Sequence, residues 1–359
     1  MERKLASIQR VRDVRPIEGA DAIEVVQINN WNVVSKKGEY KPGDLCIYCE
    51  IDSFLPIKEE FEFLRKSSYR KLADGSEGFR LKTIKLRGQV SQGLVLPLET
   101  LNGSEEMVVG VSEQPWGEQL QLGPYDDALV IEEGADVSKH LGIVKYEPPV
   151  PASLAGVAKG LFPSFIPKTD EERVQNLTNE YEGYTKTSFY VTEKLDGSSF
   201  TAYVKDGEFG VCSRNLELLE TEDNTMWRVA RELDLETKMR SLGKNVSFQG
   251  EIIGEGIQGN PYRLKGQTVK FFNVFDIDEH QYYIKAQLEQ TIDELGLETV
   301  PILHNHFILP NTIDELLQFA EGKSALCEGT EREGLVIRNM VRSISFKVIS
   351  NKFLLKSGE

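Results

Sequence analysis

The chain has 359 residues, with 42 Lys and Arg against 57 Asp and Glu, a formal charge of −15, and it is 40% hydrophobic and 28% charged. This composition excludes collagen-like, disulfide-framework and wholly disordered chains, and at about 150 residues per domain the length predicts two domains, each with its own core. No apolar run approaches the roughly 18 residues of a membrane span, and the opening MERKLASIQR lacks the apolar segment of a secretory signal, so a soluble cytoplasmic protein is expected.

From Lys4 to about Pro97, short apolar segments alternate with turn residues: IEVVQINNWNVVS, the KPGD turn at Lys41 to Asp44, LCIYCEI, FRLKTIKLRG and GLVLPL. Many short strands with Gly and Pro breaks predict a small β-barrel, OB-like by analogy of size. Cys46 and Cys49 have CxxC spacing, but residues three apart on a strand face opposite sides, so buried thiols are expected there. With Cys212 and Cys327 the only others, reduced cysteines are the default. Leu64 to Arg87 forms a basic island, with Arg65, Lys66, Arg70, Lys71, Arg80, Lys82, Lys85 and Arg87 against Asp74 and Glu77. A second island runs from Arg338 to Gly358, with Arg342, Lys347, Lys352 and Lys356 and no acid. Either alone reads as a solvated face; both beside one site would suit a polyanion. A Gly-, Glu- and Asp-rich stretch from Asn102 to Asp136 leads to KYEPPVPAS, whose prolines continue neither helix nor central strand. A linker there divides the chain into domains 1–147 and 148–359.

In the second half FYVTEKL reads as a strand, and SSFTAYVKDGEFGVCSRN as a hairpin turning at Asp206-Gly207. DNTMWRVARELDLETKMRSL reads as helix, with Met226, Val229, Ala230 and Leu233 on one face. VSFQGEIIG and VKFFNVFDID are strand-like. His304 and His306 share a strand face without a third ligand nearby, so a structural role is expected. Thr312 to Glu315 fits a capping box, and EGLVIRN and SISFKVIS supply closing strands. The second half is thus an α+β domain built on antiparallel sheet.

No GxSxG, HExxH or P-loop sequence occurs. A GxGxxG at Gly254, Gly256 and Gly259 follows a strand, but Asn260-Pro261 stands where a helix should begin, so a loop is expected. The informative segment is Glu193-Lys194-Leu195-Asp196-Gly197. A lysine closing a strand before a glycine turn can be presented end-on in a cleft, and a neutral amine can attack phosphorus. Behind it come, in order, Ser213-Arg214-Asn215, Phe248-Gln249-Gly250-Glu251, FFNVFD to Asp276, Glu333 to Arg338, and SFKVIS containing Lys347. Together they offer a nucleophile, cations for phosphate, carboxylates for metal and ribose, and an aromatic for a base.

This ordered set, KxDG, SRN, FxGE, FxxFD, EGLVIR and FK, spans residues 190 to 353 and resembles the covalent nucleotidyltransferases: ATP-dependent DNA and RNA ligases and mRNA capping enzymes. FPSFIPKTDEERVQN, from Phe162 to Asn176, resembles the RNA ligase 2-like group. The order of modules resembles the nick-sealing RNA ligases with an N-terminal OB domain. The resemblance implies that Lys194 attacks the α-phosphate of ATP, that AMP passes from lysine to an RNA 5′-phosphate, and that a 3′-OH then seals the strand, at nicks in a duplex. It implies Mg²⁺ or Mn²⁺ on Asp196, Glu251 and Glu333, and Leu195 and Gly197 beside the nucleotide. Arg214 and Glu251 would contact the ribose, Lys347 the α-phosphate, and Phe275 the adenine, with Phe271 sharing its strand face. Arg173 would bind a 5′-phosphate or cap a helix. Two features depart from the pattern. Ile349 stands where many RNA ligases have a second motif lysine, so Lys352 either replaces that charge or serves the RNA; and KLDGSS stands in place of KxHGxN. Seven residues follow Lys352, leaving no space for the late OB domain of capping enzymes and many DNA ligases. An RNA ligase without a membrane partner is therefore expected, the alternatives being a DNA ligase, a capping guanylyltransferase or a non-catalytic OB protein.

Overall fold

The computed structural model describes residues 4–72, 75–103, 111–114, 117–120, 130–146 and 156–357. The predicted proline linker, the boundary at 147/148, Asp74 and most of the acidic stretch after Asn102 lie outside the described residues. The chain divides into two compact units, Met1–Pro149 with Leu354–Glu359, and Val150–Phe353.

The first unit is built on a five-stranded antiparallel sheet in the order Leu94–Leu96, Leu45–Cys49, Ala6–Pro16, Ile23–Ile28, Trp31–Lys36. Strand Ala6–Pro16 is long enough to pair with Leu45–Cys49 through its first half and with Ile23–Ile28 through its second. A bulge between Val11 and Asp13 bends it at the changeover, so the two end strands approach one another and the sheet nearly closes into a barrel. Ile8, Ile47 and Leu96 of this sheet form a buried core with Leu55, Phe61 and Phe79. Cys46 and Cys49 are both buried, and only Cys49 belongs to that core. Burial pushes the Cys46 thiol up to about 12, far from a thiolate at neutral pH. A separate two-stranded hairpin, Ile84–Leu86 with Gln89–Ser91, turns through Arg87 and Gly88, both at positive φ.

The second unit carries two sheets. The larger runs Ala158–Leu161, Leu216–Leu218, Glu208–Cys212, Ser198–Lys205, Val246–Gly254, Gln267–Asp276, Gln281–Tyr282. Its core holds Phe200, Phe248 and Phe271, with residues of helices Thr225–Glu232, Leu235–Arg240 and Lys285–Glu294 packed among them. The smaller runs Glu172–Arg173, Ile344–Ile349, Gly334–Asn339, Ser188–Lys194, Ile302–Ile308, with Phe189, Val191, Leu335, Ile337 and Phe346 against helix Ile313–Ala320. That helix starts with the predicted capping box: Thr312 Oγ1 accepts the Glu315 N–H at 3.2 Å, and the Thr312 N–H donates to the Glu315 carboxylate at 3.1 Å. The hairpin at Asp206-Gly207 also forms, both residues being left-handed at φ 52° and 80°.

The single helix read in the window after Asp223 is two helices. Asp234 adopts φ 51°, a conformation that a short polar side chain tolerates, and the chain restarts at Leu235. The break places Leu235 and Met239 in the core beside Val229 and Ala230, a packing gain that overrides the continuous helical pattern.

Candidate active site

Ser188–Lys194 belongs to the smaller sheet and Ser198–Lys205 to the larger, so Leu195-Asp196-Gly197 is the crossover between them. The KxDG turn is compulsory at this point, because the chain must pass close to a neighbouring strand. A Cβ on Gly197 would lie 2.5 Å from the carbonyl oxygen of Ile252 and 2.8 Å from Cγ of Glu251. Two further motif glycines answer the same need: a Cβ on Gly250 would meet the Lys270 carbonyl oxygen at 2.6 Å, and one on Gly334 would collide with the Val348 carbonyl oxygen. The turn is held by the Asp196 N–H donating to Tyr262 Oη at 2.6 Å, and by Gln258 Nε2 donating to the Gly197 carbonyl at 3.2 Å. Leu195 packs into a small buried cluster with Ile253, Tyr262 and Val300. The glycines of the GxGxxG sequence lie in the loop between Val246–Gly254 and Gln267–Asp276, as expected.

Lys194 ends its strand with Nζ 2.8 Å from a carboxylate oxygen of Glu333; the lysine side chain is 30% exposed and the glutamate 10%. The preceding residue, Glu193, points the other way: buried, it accepts the Ala325 N–H at 2.7 Å, and desolvation raises its carboxyl. Glu251, from the larger sheet, completes the group. Desolvation pushes its carboxyl up to about 8; Lys194 and Arg214 pull it down, while Glu333 and Asp196 push it further up. Five of the sequence-assigned residues, Lys194, Asp196, Arg214, Glu251 and Glu333, therefore share one electrostatic environment.

Lys347 joins them through a residue that the sequence reading missed. Asp170 lies 3.3 Å from Lys347 Nζ and 3.4 Å from Arg214 Nη2, tying two cations to one carboxylate. Its neighbour Glu171 pairs at 3.2 Å with buried Arg338, whose guanidinium also donates to Thr192 Oγ1 and lies 5.5 Å from the Phe272 ring. The run Thr169-Asp170-Glu171-Glu172-Arg173 signals acidity, but only the fold reveals that consecutive acids take different partners. Arg173 is buried on the strand Glu172–Arg173, in register with Lys347. It precedes the short 3₁₀ turn Val174–Asn176 without a side-chain cap bond, which leaves the helix-cap alternative unsupported.

Other expectations are corrected. Phe271 and Phe275 do not share a face. A bulge in Gln267–Asp276 pairs Gln249 with Asn273 and Gly250 with Phe271, leaving Phe272 extra, and this reverses the alternation. Phe271 lies in the hydrophobic core with Phe248, whereas Phe275 is buried among Ile166, Tyr203 and Cys212, and half-buried Phe272 packs with the Leu195 cluster. Phe272 is a further aromatic beside the motif turn that sequence spacing could not single out. Lys352 is two-thirds exposed and pairs with Glu321 at 2.6 Å. Among the described residues no three His, Cys, Asp or Glu side chains form a ready ion-holding group, and Glu333 is engaged by Lys194. Within the second basic island Arg338, Lys347 and Lys352 each meet an acid and Arg342 donates to Thr187, while Arg342, Lys352 and Lys356 are exposed.

The Glu251 carboxyl carries a pH signature. Its pKa in the folded protein lies above the ordinary 4.5, so between these values the folded state holds a proton that the unfolded state has lost. Without nucleotide or divalent cation, stability is expected to fall as pH rises from about 5 to 8, by on the order of 4 kcal/mol from this group. Glu251→Gln should flatten that slope in thermal melts across the range; an unchanged slope would refute the assignment.

Residues 5–98 match an OB-fold domain family and residues 187–354 match the RNA ligase family. Solved structures of Naegleria gruberi RNA ligase resemble the chain along its length. A lysine-to-methionine variant with AMP and Mn is 40% identical, covering 98% of each chain, at a TM-score of 0.84. A glutamate-to-alanine variant with ATP and Mn is 40% identical over 99% of this chain and 100% of that one, at 0.84. The form with PPi is 40% identical over 98% of each, at 0.83. No curated protein matches the chain significantly. Identity of this degree across nearly the whole length, with the motif lysine and its carboxylates gathered at one sheet crossover, places the chain in the RNA ligase family, with an OB-fold domain preceding the ligase domain.

Proposed function

We propose that the protein seals RNA 3′-OH and 5′-phosphate ends at nicks in a duplex, using ATP. The observation that carries this reading is Lys194 Nζ, held 2.8 Å from Glu333 at the crossover and electrostatically coupled to Glu251. In the first step the Lys194 amine, once deprotonated, attacks the α-phosphorus of ATP. The N–P bond forms, the P–O bond to pyrophosphate breaks, and the amine proton has an acceptor in the adjacent Glu333 carboxylate. The RNA 5′-phosphate then takes AMP from the lysine, and the 3′-oxygen displaces AMP as the phosphodiester forms.

Arg214 and Lys347, gathered by Asp170, are the cations to receive ribose and phosphate oxygens. Gly197 lets the turn lie against Ile252 without a side chain intervening. Phe272 and Phe275 are the aromatic candidates for the base, Phe272 favoured by its partial exposure beside the Leu195 cluster. A divalent ion, Mg²⁺ or Mn²⁺, suits Asp196, Glu251 and Glu333, because the repulsion that raises Glu251 is relieved by a cation. When bound it would neutralise phosphate charge.

Four unbridged cysteines, three of them buried, support action in a reducing compartment, the cytoplasm. Among the described residues no helix is long and apolar enough to cross a membrane.

The test is the intact mass of the purified protein after incubation with ATP and Mg²⁺, followed by a panel of nicked, single-stranded and DNA substrates. An adenylyl increment and preferential sealing of nicked RNA duplex are expected. A chain that gains no nucleotide, or that seals only DNA, would overturn the reading.

A further inference from the structure

We propose that the hairpin formed by Ile84–Leu86 and Gln89–Ser91 is a docking surface for the phosphate backbone of the RNA duplex, an inference that rests on the ligase reading above. From Gly78 to Leu98 the chain has no acidic residue, although the protein as a whole carries −15. Of the five cations of the island other than Lys82, Lys85 and Arg87, three are engaged by an acid or a ring, and Arg70 donates to the Tyr69 carbonyl. Arg65 pairs with Glu62, Lys71 pairs with Glu77, and Arg80 stacks on Tyr146 at 4.3 Å. Lys82, Lys85 and Arg87 have no ion-pair partner among the described residues, and every residue from Ile84 to Gly88 is exposed. The hairpin thus concentrates uncompensated positive charge where a polyanion can reach it.

Backbone conformation supplies an independent observation. The two turn residues, Arg87 at φ 48° and Gly88 at φ 86°, form a two-residue hairpin connection of the kind that favours Asn-Gly. Arginine is a poor choice for the first of them, since its Cβ is disfavoured in the left-handed region. The turn alone would be better served by asparagine, so the guanidinium at the tip answers some other need.

The base of the hairpin is anchored. Buried Ser91 accepts the Val34 N–H at 2.9 Å, the Gln92 N–H donates to the Asn32 carbonyl at 2.8 Å, and Gln92 Nε2 donates to Thr83 Oγ1 at 3.3 Å. Strand alternation puts Lys85 on the face opposite Ile84 and Leu86, which are 40% and 38% exposed. Cations on a fixed support that meet phosphates position a duplex without reading its sequence.

The test measures binding of a nicked RNA duplex to the full-length protein at several salt concentrations, comparing wild type with the double variant Lys85→Gln, Arg87→Asn. Arg87→Asn suits the turn, so the single variant should melt no lower than wild type, which removes misfolding as an explanation. The double variant should bind about tenfold more weakly at low salt, with the slope of log K against log salt shallower by about 1 per lost contact. Lysyl-AMP formation from ATP, which needs no RNA, is read in the same samples. Unchanged RNA affinity and salt slope would overturn the hairpin proposal, as would a larger loss of binding to anionic lipid vesicles than to RNA. Wild-type protein that forms no lysyl-AMP would instead overturn the ligase reading.

Discussion

Lys194→Ala is expected to abolish transfer of label from α-labelled ATP to the protein, a loss of at least about 10⁴-fold, because the substitution deletes the bond-forming atom rather than weakening a contact. Other cations near the site are committed elsewhere: Lys347 and Arg214 to Asp170, and Lys270 to Glu298. The substitution also leaves the mostly buried Glu333 carboxylate without its cation. Since the lysine is itself partly exposed, the stability cost is expected to be about 1–2 kcal/mol rather than the full penalty of a broken interior pair. Lys194→Arg separates the two effects. Its guanidinium can keep the ion pair with Glu333, so the melting temperature should return toward wild type, yet it stays protonated and does not attack phosphorus. Labelling of either variant at the wild-type rate would show that another residue is the nucleophile.

Gly197→Ala should slow lysyl-AMP formation about 100-fold while leaving every reacting group in the chain. The added methyl meets the Ile252 carbonyl at 2.5 Å and the Ile253 side chain at 2.8 Å, contacts that real Cβ atoms do not make, and the carbonyl belongs to a paired strand that cannot yield. The crossover must move instead. Its hydrogen bonds to Tyr262 and Gln258 are lost or lengthened, and Lys194 shifts relative to Glu251 by about 1 Å, enough for the expected loss of rate. Gly207→Asn is the control, at a left-handed hairpin turn where a new Cβ would meet nothing within 4 Å and asparagine is tolerated. Single-turnover adenylylation of the three proteins distinguishes displacement of the turn from general destabilisation. Equal rates for Gly197→Ala and wild type would refute the packing argument.

Much of the second unit was legible locally. The Asp206-Gly207 hairpin and the Thr312 capping box form because a left-handed turn pair and a reciprocal side-chain cap each depend on residues within four positions. Lys194, Glu251 and Glu333 were named from motif order, and the fold brings them together. The aromatic residues were harder. Period-two alternation places Phe271 with Phe275, but one extra residue opposite Gln249 and Gly250 reverses the faces, and a bulge depends on the partner strand. The break at Asp234 likewise answers to the core that receives Leu235.

From the amino-acid order alone came the two-part division in outline, the β-rich first part, and the candidates for nucleophile, carboxylates and cations. The tertiary structure alone decided which charges are committed. Arg338 and Lys347 look like an open basic strip, yet each meets an acid more than 160 residues away, Glu171 and Asp170. The reason is physical: strand and turn preferences are written in neighbouring side chains, whereas a charge is neutralised by whatever the folded backbone brings within about 4 Å, at any separation along the chain.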